Sequence, residues 1–334
     1  MLRTGLVRMI EIALTMLTVS VIVYLLLEFD SDDVAVKVLG QFSTAAQRTQ
    51  WLHEHGYDQG FLVRYLAWLR SFLSGDWGRS LHYQVPVLPL VAERLVATAI
   101  LGVLTLALMI PLGLGFGILA GIREGCAVDR VISIFSIVTT SVPEFASAVF
   151  LTGFFVFWLG LLPGASTMTS GFSWQEIVLP LLVLVLYGTG YLARVTRASV
   201  AEVMNAPYVR TARMKGAGPW RIVGRHVLRN ALVAPATIIM LQIPWLLSGV
   251  IVVEVFFAYR GFGSLLYEAG LNSDINVIEA CAMISVFVVV VTQLCSDLIN
   301  TWLNPRTRRI RVTCAAPAPI VGSATPLSKS AESV

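Results

Sequence analysis

An all-α integral membrane fold is what this sequence predicts, and three observations carry the prediction. Of 334 residues, 56% are apolar and only 13% are charged, about half the charge of an ordinary soluble domain, and the mean hydropathy is +0.77. The apolar residues gather into six runs, each near the ~20 residues that cross a hydrocarbon core. Arginine and lysine cluster beside alternate ends of those runs, so the small net charge of +4 reads as membrane topology and not as a nucleic-acid surface.

In lipid each run must be helical, because an isolated strand leaves backbone groups unpaired. The first run is Ile12–Leu27, lengthened by Met9 and Ile10. The second is Leu95–Ile122. The third starts near Val131, passes Pro143 and Glu144, and continues from Phe145 to Leu162. The fourth is Ile177–Ala193, the fifth Ala231–Val253, and the sixth Ala280 to about Leu303. Arg3 and Arg8 give the first run the start of a secretory signal. Leu25, Leu26, Leu27 and Glu28 follow with no small-residue cleavage pattern, so it reads as a retained span.

Basic residues set the orientation. Arg194, Arg197, Arg210, Arg213, Lys215, Arg221, Arg225 and Arg229 stand between runs four and five, against Glu202 alone. Arg306, Arg308, Arg309 and Arg311 follow run six, Arg123 and Arg130 separate runs two and three, and Arg3 and Arg8 precede run one. With six spans these regions share one side, the cytoplasm, together with both termini. The opposite connection, Pro163 to Gln175, carries no charge.

The chain thus divides into a cytoplasmic start and first span (1–27), an external segment (28–93), a five-helix core (94–304) and a cytoplasmic tail (305–334). The tail is rich in Ala, Pro and Ser after about residue 312 and is expected to be disordered there. The external segment is too polar to span. Phe61, Leu62, Tyr65, Leu66, Trp68, Leu69 and Phe72 fall at helical spacings and predict an amphipathic helix from Gln59 to Leu73, ended by Gly75. A second helix is expected over Ala45 to His55, before Gly56. The four cysteines, Cys126, Cys281, Cys295 and Cys314, avoid this segment, which argues against a disulfide framework. Cys281 and Cys295 share one predicted helix and stand about 21 Å apart along it, beyond disulfide reach.

The stretch Asn205 to Pro219 carries the most information. Pro207 suits a first helical turn, Gly216 a helix end, and Gly218-Pro219 a turn. Trp220 to Leu228 can form a second short helix entering run five. The result is a stiff basic helical knob at about 205–217. Ala212 and Gly216, four residues apart, are expected on one face that a partner could approach closely.

Here the chain resembles a known family. Arg210-Thr211-Ala212-xxx-Gly216 looks like the E-A-A-x-x-x-G signature of ABC importer permeases, and in particular the first permease of dipeptide, oligopeptide and nickel importers. The likeness runs from Met1 to Arg311. It includes Gly75-Asp76-Trp77-Gly78-Arg79-Ser80, Ser141-Val142-Pro143-Glu144-Phe145, Arg225 to Leu232, Gly261-Phe262-Gly263-Ser264-Leu265 and Asn304-Pro305-Arg306. Two blocks depart from the pattern. Glu28-Phe29-Asp30-Ser31-Asp32-Asp33 stands where Pro-Gly-Asp-Pro is usual, and Tyr259-Arg260-Gly261-Phe262-Gly263 where Pro-Gly-x-Gly is usual. The resemblance implies a type I ABC importer permease in a bacterial inner membrane. It implies a second homologous permease, two ATP-binding cassette subunits and an external solute-binding protein as partners, beside membrane lipid. Arg210, Thr211, Ala212, Arg213, Lys215 and Gly216 would form the ATPase-coupling helix. ATP and magnesium would belong to the partner ATPases, leaving no cofactor in this chain. A phosphate-binding loop needs a Gly-Lys pair, and none of Lys37, Lys215 and Lys329 follows a glycine.

Other features are read against simpler explanations. Gly113, Gly115, Gly117 and Gly121 evoke a dinucleotide fingerprint, but no strand precedes them. Gly113, Gly117 and Gly121 recur every four residues, the spacing of close helix packing in membranes. Glu144, after the Pro143 kink, is a candidate for the pathway or for capping the freed backbone. Asp297 is expected to pair with the basic tail, and Glu254 and Glu279 to be solvated at external helix ends. His53 and His55 lie two apart and point to different sides of a helix, which disfavours a metal site. His226 reads as a packing or partner contact. Two other functional classes stay in view. An ion-coupled secondary transporter should show ionisable or broken-helix sites at the midplane, where these spans are nearly charge-free. An intramembrane enzyme should show a nucleophile and base, or clustered His, Asp and Glu, which the sequence lacks.

Overall fold

The computed structural model describes residues 2–28, 35–36, 39–40, 42–54, 57, 59–168, 171–248 and 250–303. Readings that fall on Lys37, His55, Cys314, the 29–34 block and the tail from Asn304 lie outside the described residues, as does the side chain of Asp297. The described secondary structure is helical apart from one isolated bridge between Arg79 and Pro86.

In chain order the helices are α1 (Leu2–Glu28), α2 (Ala45–Glu54), α3 (Phe61–Leu73), α4 (Val87–Ile122), α5 (Ala127–Ser141), α6 (Glu144–Thr152), α7 (Trp174–Met204), α8 (Pro207–Met214), α9 (Pro219–Ile222), α10 (Leu228–Ala231), α11 (Val233–Ser248), α12 (Ile251–Phe256), α13 (Phe262–Leu271) and α14 (Ile275–Leu303). One π-helical turn extends α6 through Gly153–Trp158, and another, Val223–Val227, joins α9 to α10. Helices α4 and α7, and α14 over Ile275–Ser296, are each long and apolar enough to cross a membrane. Two bent pairs qualify together, and Ile10–Leu26 within α1 is a shorter apolar stretch.

The helices differ from the expected runs in instructive ways. Helix α4 starts at Val87, so Glu93 and Arg94 lie inside it. The third run is not one continuous helix with a mild kink: α5 and α6 meet at 101°. Proline lacks the N–H of a helical hydrogen bond and disfavours helical geometry in the residue before it; Val142 is extended, at φ −84 and ψ 122, whereas Pro111 and Pro180 are accommodated inside α4 and α7. Helix α7 continues eleven residues past the expected end at Ala193, to Met204, which places Arg194, Arg197 and Glu202 on the helix instead of in a loop. The fifth run is interrupted after Ser248 and resumes as α12.

Helix α7 is the centre of the bundle. Of its most apolar window 67% is buried, against 22% for α4, so α4 stands between α7 and the surroundings. Val96, Ile100 and Val103 are exposed together near the start of α4, and Leu112, Phe116 and Leu119 together on a different side of the helix further along, each trio at three- and four-residue spacing. Leu101, Thr105, Met109, Gly113, Gly117 and Gly121 are buried at a spacing of four, in a stripe that winds around the helix. The glycines meet Leu192, Thr196 and Val200 of α7, which recur at the same spacing of four. A Cβ on Gly113 would stand 2.8 Å from Leu192 Cβ. One on Gly117 would stand 2.6 Å from the Ala193 carbonyl oxygen, and one on Gly121 2.7 Å from Val200 Cβ. Lipid offers no hydrophobic drive for helices to associate, so close backbone approach and dispersion contacts must supply it. On the far side of α7, Gly190 admits α5: a Cβ there would lie 3.1 Å from the Ser136 carbonyl oxygen.

Replacing Gly117 by leucine should force α4 from α7 and destabilise the fold by at least the ~1–3 kcal/mol typical of overpacking. Gly115→Leu is its control, because a side chain there meets open space. Thermal unfolding in detergent should separate the two variants widely; equal melting would mean that this seam does not hold the pair.

Candidate functional site

The basic knob forms where α7 stops. The backbone N–H of Asn205 donates to the Ala201 and Glu202 carbonyls, closing α7, and Pro207 opens α8 at a position that needs no donor. Helix α8 ends at Met214. Gly216 then turns the chain at φ +77, a conformation glycine takes without Cβ strain. Its N–H donates to Arg213 and that of Ala217 to Ala212, which satisfies carbonyls the helix end leaves over.

An apolar knot fastens α8 to the spans. Val209 is fully buried among Val200, Ile222, Val227 and Ala231, with Ile118 and Ile122 of α4 and Met204 of α7 packed around them. The Asn230 amide donates to the Tyr208 hydroxyl at 3.0 Å, and the Ser199 hydroxyl to the Ala231 carbonyl at 2.7 Å. The knob therefore moves with the ends of α4 and α7.

The expected site residues separate into two groups. Ala212 is half-buried and packs into the knot with Ala217, so its small size serves the contact with its own chain. Ala212 and Gly216 do not form one outward face. Arg210, Thr211, Arg213, Lys215 and Gly216 are exposed, and nothing lies within 4 Å of a Cβ on Gly216. Met214 at 75% and Trp220 at 86% are the most exposed apolar side chains beside them. The presented surface is thus basic with two apolar points, and Met214 and Trp220 went unremarked in the sequence because single apolar residues in a basic loop carry no periodicity. His226 is half-buried in the π turn, where its carbonyl accepts from Asn230.

Next to the knob, Arg197 makes a two-pronged pair with Asp129 at 3.0 and 2.9 Å. Asp129 also accepts from the Gly125 N–H and the Ser133 hydroxyl, and Glu124 stands 3.7 Å from the same guanidinium. This clamp ties the 123–130 turn to α7. Arg197 counted toward the basic side in the sequence, but its charge is spent on Asp129, and neither partner is identifiable from spacing across a separation of 68 positions.

The opposite end of α4 holds a second fixed corner. Glu254 and Glu279 are buried, at 0% and 3% exposure, where solvated carboxylates were expected. Each lies next to the turns that enter and leave α13, and the fold closes over them. Glu254 accepts from the Thr98 hydroxyl at 2.5 Å and the Ser264 N–H at 2.8 Å, while Thr98 accepts from the Phe262 N–H. A methyl group on Gly261 would overlap the Glu254 carboxylate, so the glycine of the Gly-Phe-Gly block is required by this carboxylate. Close by, the Ser80 hydroxyl donates to buried Asp274 at 2.5 Å, Asn276 donates to the Arg79 carbonyl, and Tyr83 donates to Glu268. Burial and Glu268 push the Tyr83 phenol up to about 12. The Gly75–Ser80 and Gly261–Leu265 blocks, far apart in sequence, share this corner with Val87, Phe262 and Leu265 in one core.

Glu144 opens α6 just after the bend. It is half-buried, and among the described residues its carboxylate accepts no hydrogen bond, so the capping alternative has no contact behind it. Thr139, five residues earlier, lies against Gly190, midway along α7.

The architecture defines a helical membrane protein with a rigid basic elbow at one end of its central helix pair and a buried polar corner at the other. The chain belongs to the family of the binding-protein-dependent transport system inner membrane component, which matches residues 113–309. It is 32% identical over 305 residues to the "Probable peptide ABC transporter permease protein y4tP" of Sinorhizobium fredii, covering 90% of this chain and 97% of that one. It is 30% identical to the "Oligopeptide transport system permease protein AppB" of Bacillus subtilis (87% and 94% covered) and 31% to the "Glutathione transport system permease protein GsiC" of Salmonella choleraesuis (92% and 99%). Among solved structures, an amino acid ABC transporter superposes with a TM-score of 0.52 at 14% identity, over 64% of this chain and 93% of that one. The inward-facing MetNI methionine transporter superposes at 0.50 and 19%, over 65% and 96%. The fold is that of a type I ABC importer permease, and the chain is the membrane subunit of such an importer, whose ATP hydrolysis takes place in other subunits.

Removing the acceptor of the clamp, Asp129→Ala, should lower stability by about 1.5–3 kcal/mol, the range for hydrogen bonds to charged groups. Arg197 is a third exposed, which keeps the cost below that of a fully buried pair. A double-mutant cycle with Arg197→Ala checks this: the double variant should cost little more than either single one. Additive losses would show that the two residues act separately.

Proposed function

We propose that this chain forms half of the translocation pathway of a peptide importer, beside a second homologous permease. One of two ATP-binding cassette subunits would dock on the elbow, and an external solute-binding protein at the opposite face. The chain would cross a bacterial inner membrane six times with both termini cytoplasmic, counting α1, the two bent pairs and the three long helices. Loaded binding protein docks outside, ATP binding turns the cavity outward, and hydrolysis resets it. ATP and magnesium belong to the partners. The peptide reading draws on the named substrates of the relatives.

The observation that carries the proposal is the elbow. Arg210, Thr211, Arg213 and Met214 on α8, and Lys215 and Gly216 just after it, stand exposed, while the helix's inner side is locked to α4 and α7 by Val209 and Ala212. A contact that transmits ATPase closure has to be rigid on the permease side and open on the other. Gly216 tolerates no large side chain in such a contact, although its own chain leaves the space empty.

Gly216→Trp should abolish uptake while the protein still inserts and accumulates in the membrane, and a cysteine at Met214 should cross-link to a co-purifying ATPase. Uptake at the wild-type rate by the tryptophan variant would refute the coupling role. Transport by the purified chain alone, driven by an ion gradient, would favour a secondary transporter instead.

A further inference from the structure

Helix α3 (Phe61–Leu73) belongs to the segment between the first two spans, and its side chains divide into three arcs at about 100° per residue. Phe61, Tyr65, Trp68 and Phe72 form one edge and dock on the chain itself. Tyr24 of α1 stands 5.6, 5.5 and 5.4 Å from the rings of Phe61, Tyr65 and Trp68, and Phe72 stacks on Trp77 at 4.9 Å. Leu62, Leu66 and Leu73 form the adjoining edge and are exposed at 70%, 61% and 77%. Arg64, Arg70 and Ser71 lie on the remaining arc, the first with its guanidinium over the Tyr57 ring, together with Ala67 and exposed Val63.

The docking contact fixes the depth of this helix. The buried Tyr65 hydroxyl shares a hydrogen bond of 2.7 Å with the Ser20 hydroxyl. Ser20 lies within the apolar stretch Ile10–Leu26, six residues or about 9 Å from its end. That is within the ~5–10 Å to which interfacial helices sink their apolar side. On α1, Ile22, Leu25 and Leu26 are also exposed, so apolar side chains of both helices stand uncovered at this level.

We propose that α3 is an interfacial helix, seated by the Tyr65–Ser20 contact, whose Leu62, Leu66 and Leu73 edge lies in the acyl chains of the leaflet on the side carrying the 28–93 segment. Its occupant is lipid, and its arginine and serine arc faces the headgroups and water. The segment is thereby held against the membrane plane, with the Gly75–Ser80 turn that follows α3 set at a defined height. This inference rests on α1 lying in the membrane and is independent of the elbow.

The test is nitroxide accessibility in the full chain, its native cysteines replaced and a single cysteine placed at Leu62, Leu66, Leu73, Arg70 or Leu14. The protein is reconstituted into vesicles of phosphatidylethanolamine and phosphatidylglycerol, with any co-purifying subunits retained. Labels at Leu62, Leu66 and Leu73 should be relaxed strongly by dissolved oxygen and weakly by chromium oxalate, with the order reversed at Arg70. Chromium oxalate reaching all three leucine positions as it reaches Arg70 would overturn the proposal in favour of a water-facing edge. Shielding from both relaxants would overturn it in favour of a protein partner. Leu14, exposed on α1, separates the failures: oxygen-accessible there means that α1 is in lipid and only the placement of α3 is wrong. The three labelled positions guard against one variant that fails to fold.

Discussion

The seam between α4 and α7 is the contact on which the rest of this molecule depends. Three glycines at a spacing of four lie against Leu192, Thr196 and Val200, and the backbones come as near as two helices can. In water such a pair could rely on burying apolar surface. Between lipid tails that gain is absent, and what remains is the number of atoms in van der Waals contact. Small residues on α4 and branched residues on α7 increase that number. The arrangement also fixes rotation and axial register, because each glycine admits one side chain.

Register matters because both the elbow and the buried polar corner are fastened to α4. From Thr98 to Ile122 the helix rises about 36 Å, somewhat more than a hydrocarbon core. At one end Ile118 and Ile122 enter the knot beneath the elbow. At the other Thr98 holds Glu254 and the turn into α13. The two ends are thus joined by one continuous helix, which holds Pro111 within it. The 101° break between α5 and α6 lies outside that rod, on the far side of α7, where a change of shape would not uncouple the two ends.

The local features were readable because they depend on neighbours in the chain. Apolar runs of spanning length, Pro207 at a helix start, Gly216 after a helix end and the four-residue glycine stripe each follow from covalent geometry and periodicity. The misread features depend on contacts between distant segments. A carboxylate at a helix end, such as Glu254, looks solvated until Thr98, Ser264 and Gly261 are seen to enclose it. Ala212 looks available to a partner until Val209 and Val227 are seen to claim its side of the helix. Arg197 looks like one more basic-side residue until Asp129 neutralises it.

By itself the sequence determined the membrane class, the helical character of every span and the basic elbow, since lipid permits few solutions and turn chemistry is local. Its motifs also pointed to the importer permease family. Only the tertiary structure decided which side of each helix is committed to the chain's own core. That includes the glycine seam's partner, the carboxylates sealed at the far corner and the exposed side chains of the elbow. Helical periodicity says which residues share a face, but what that face meets is set by segments dozens to more than a hundred residues away.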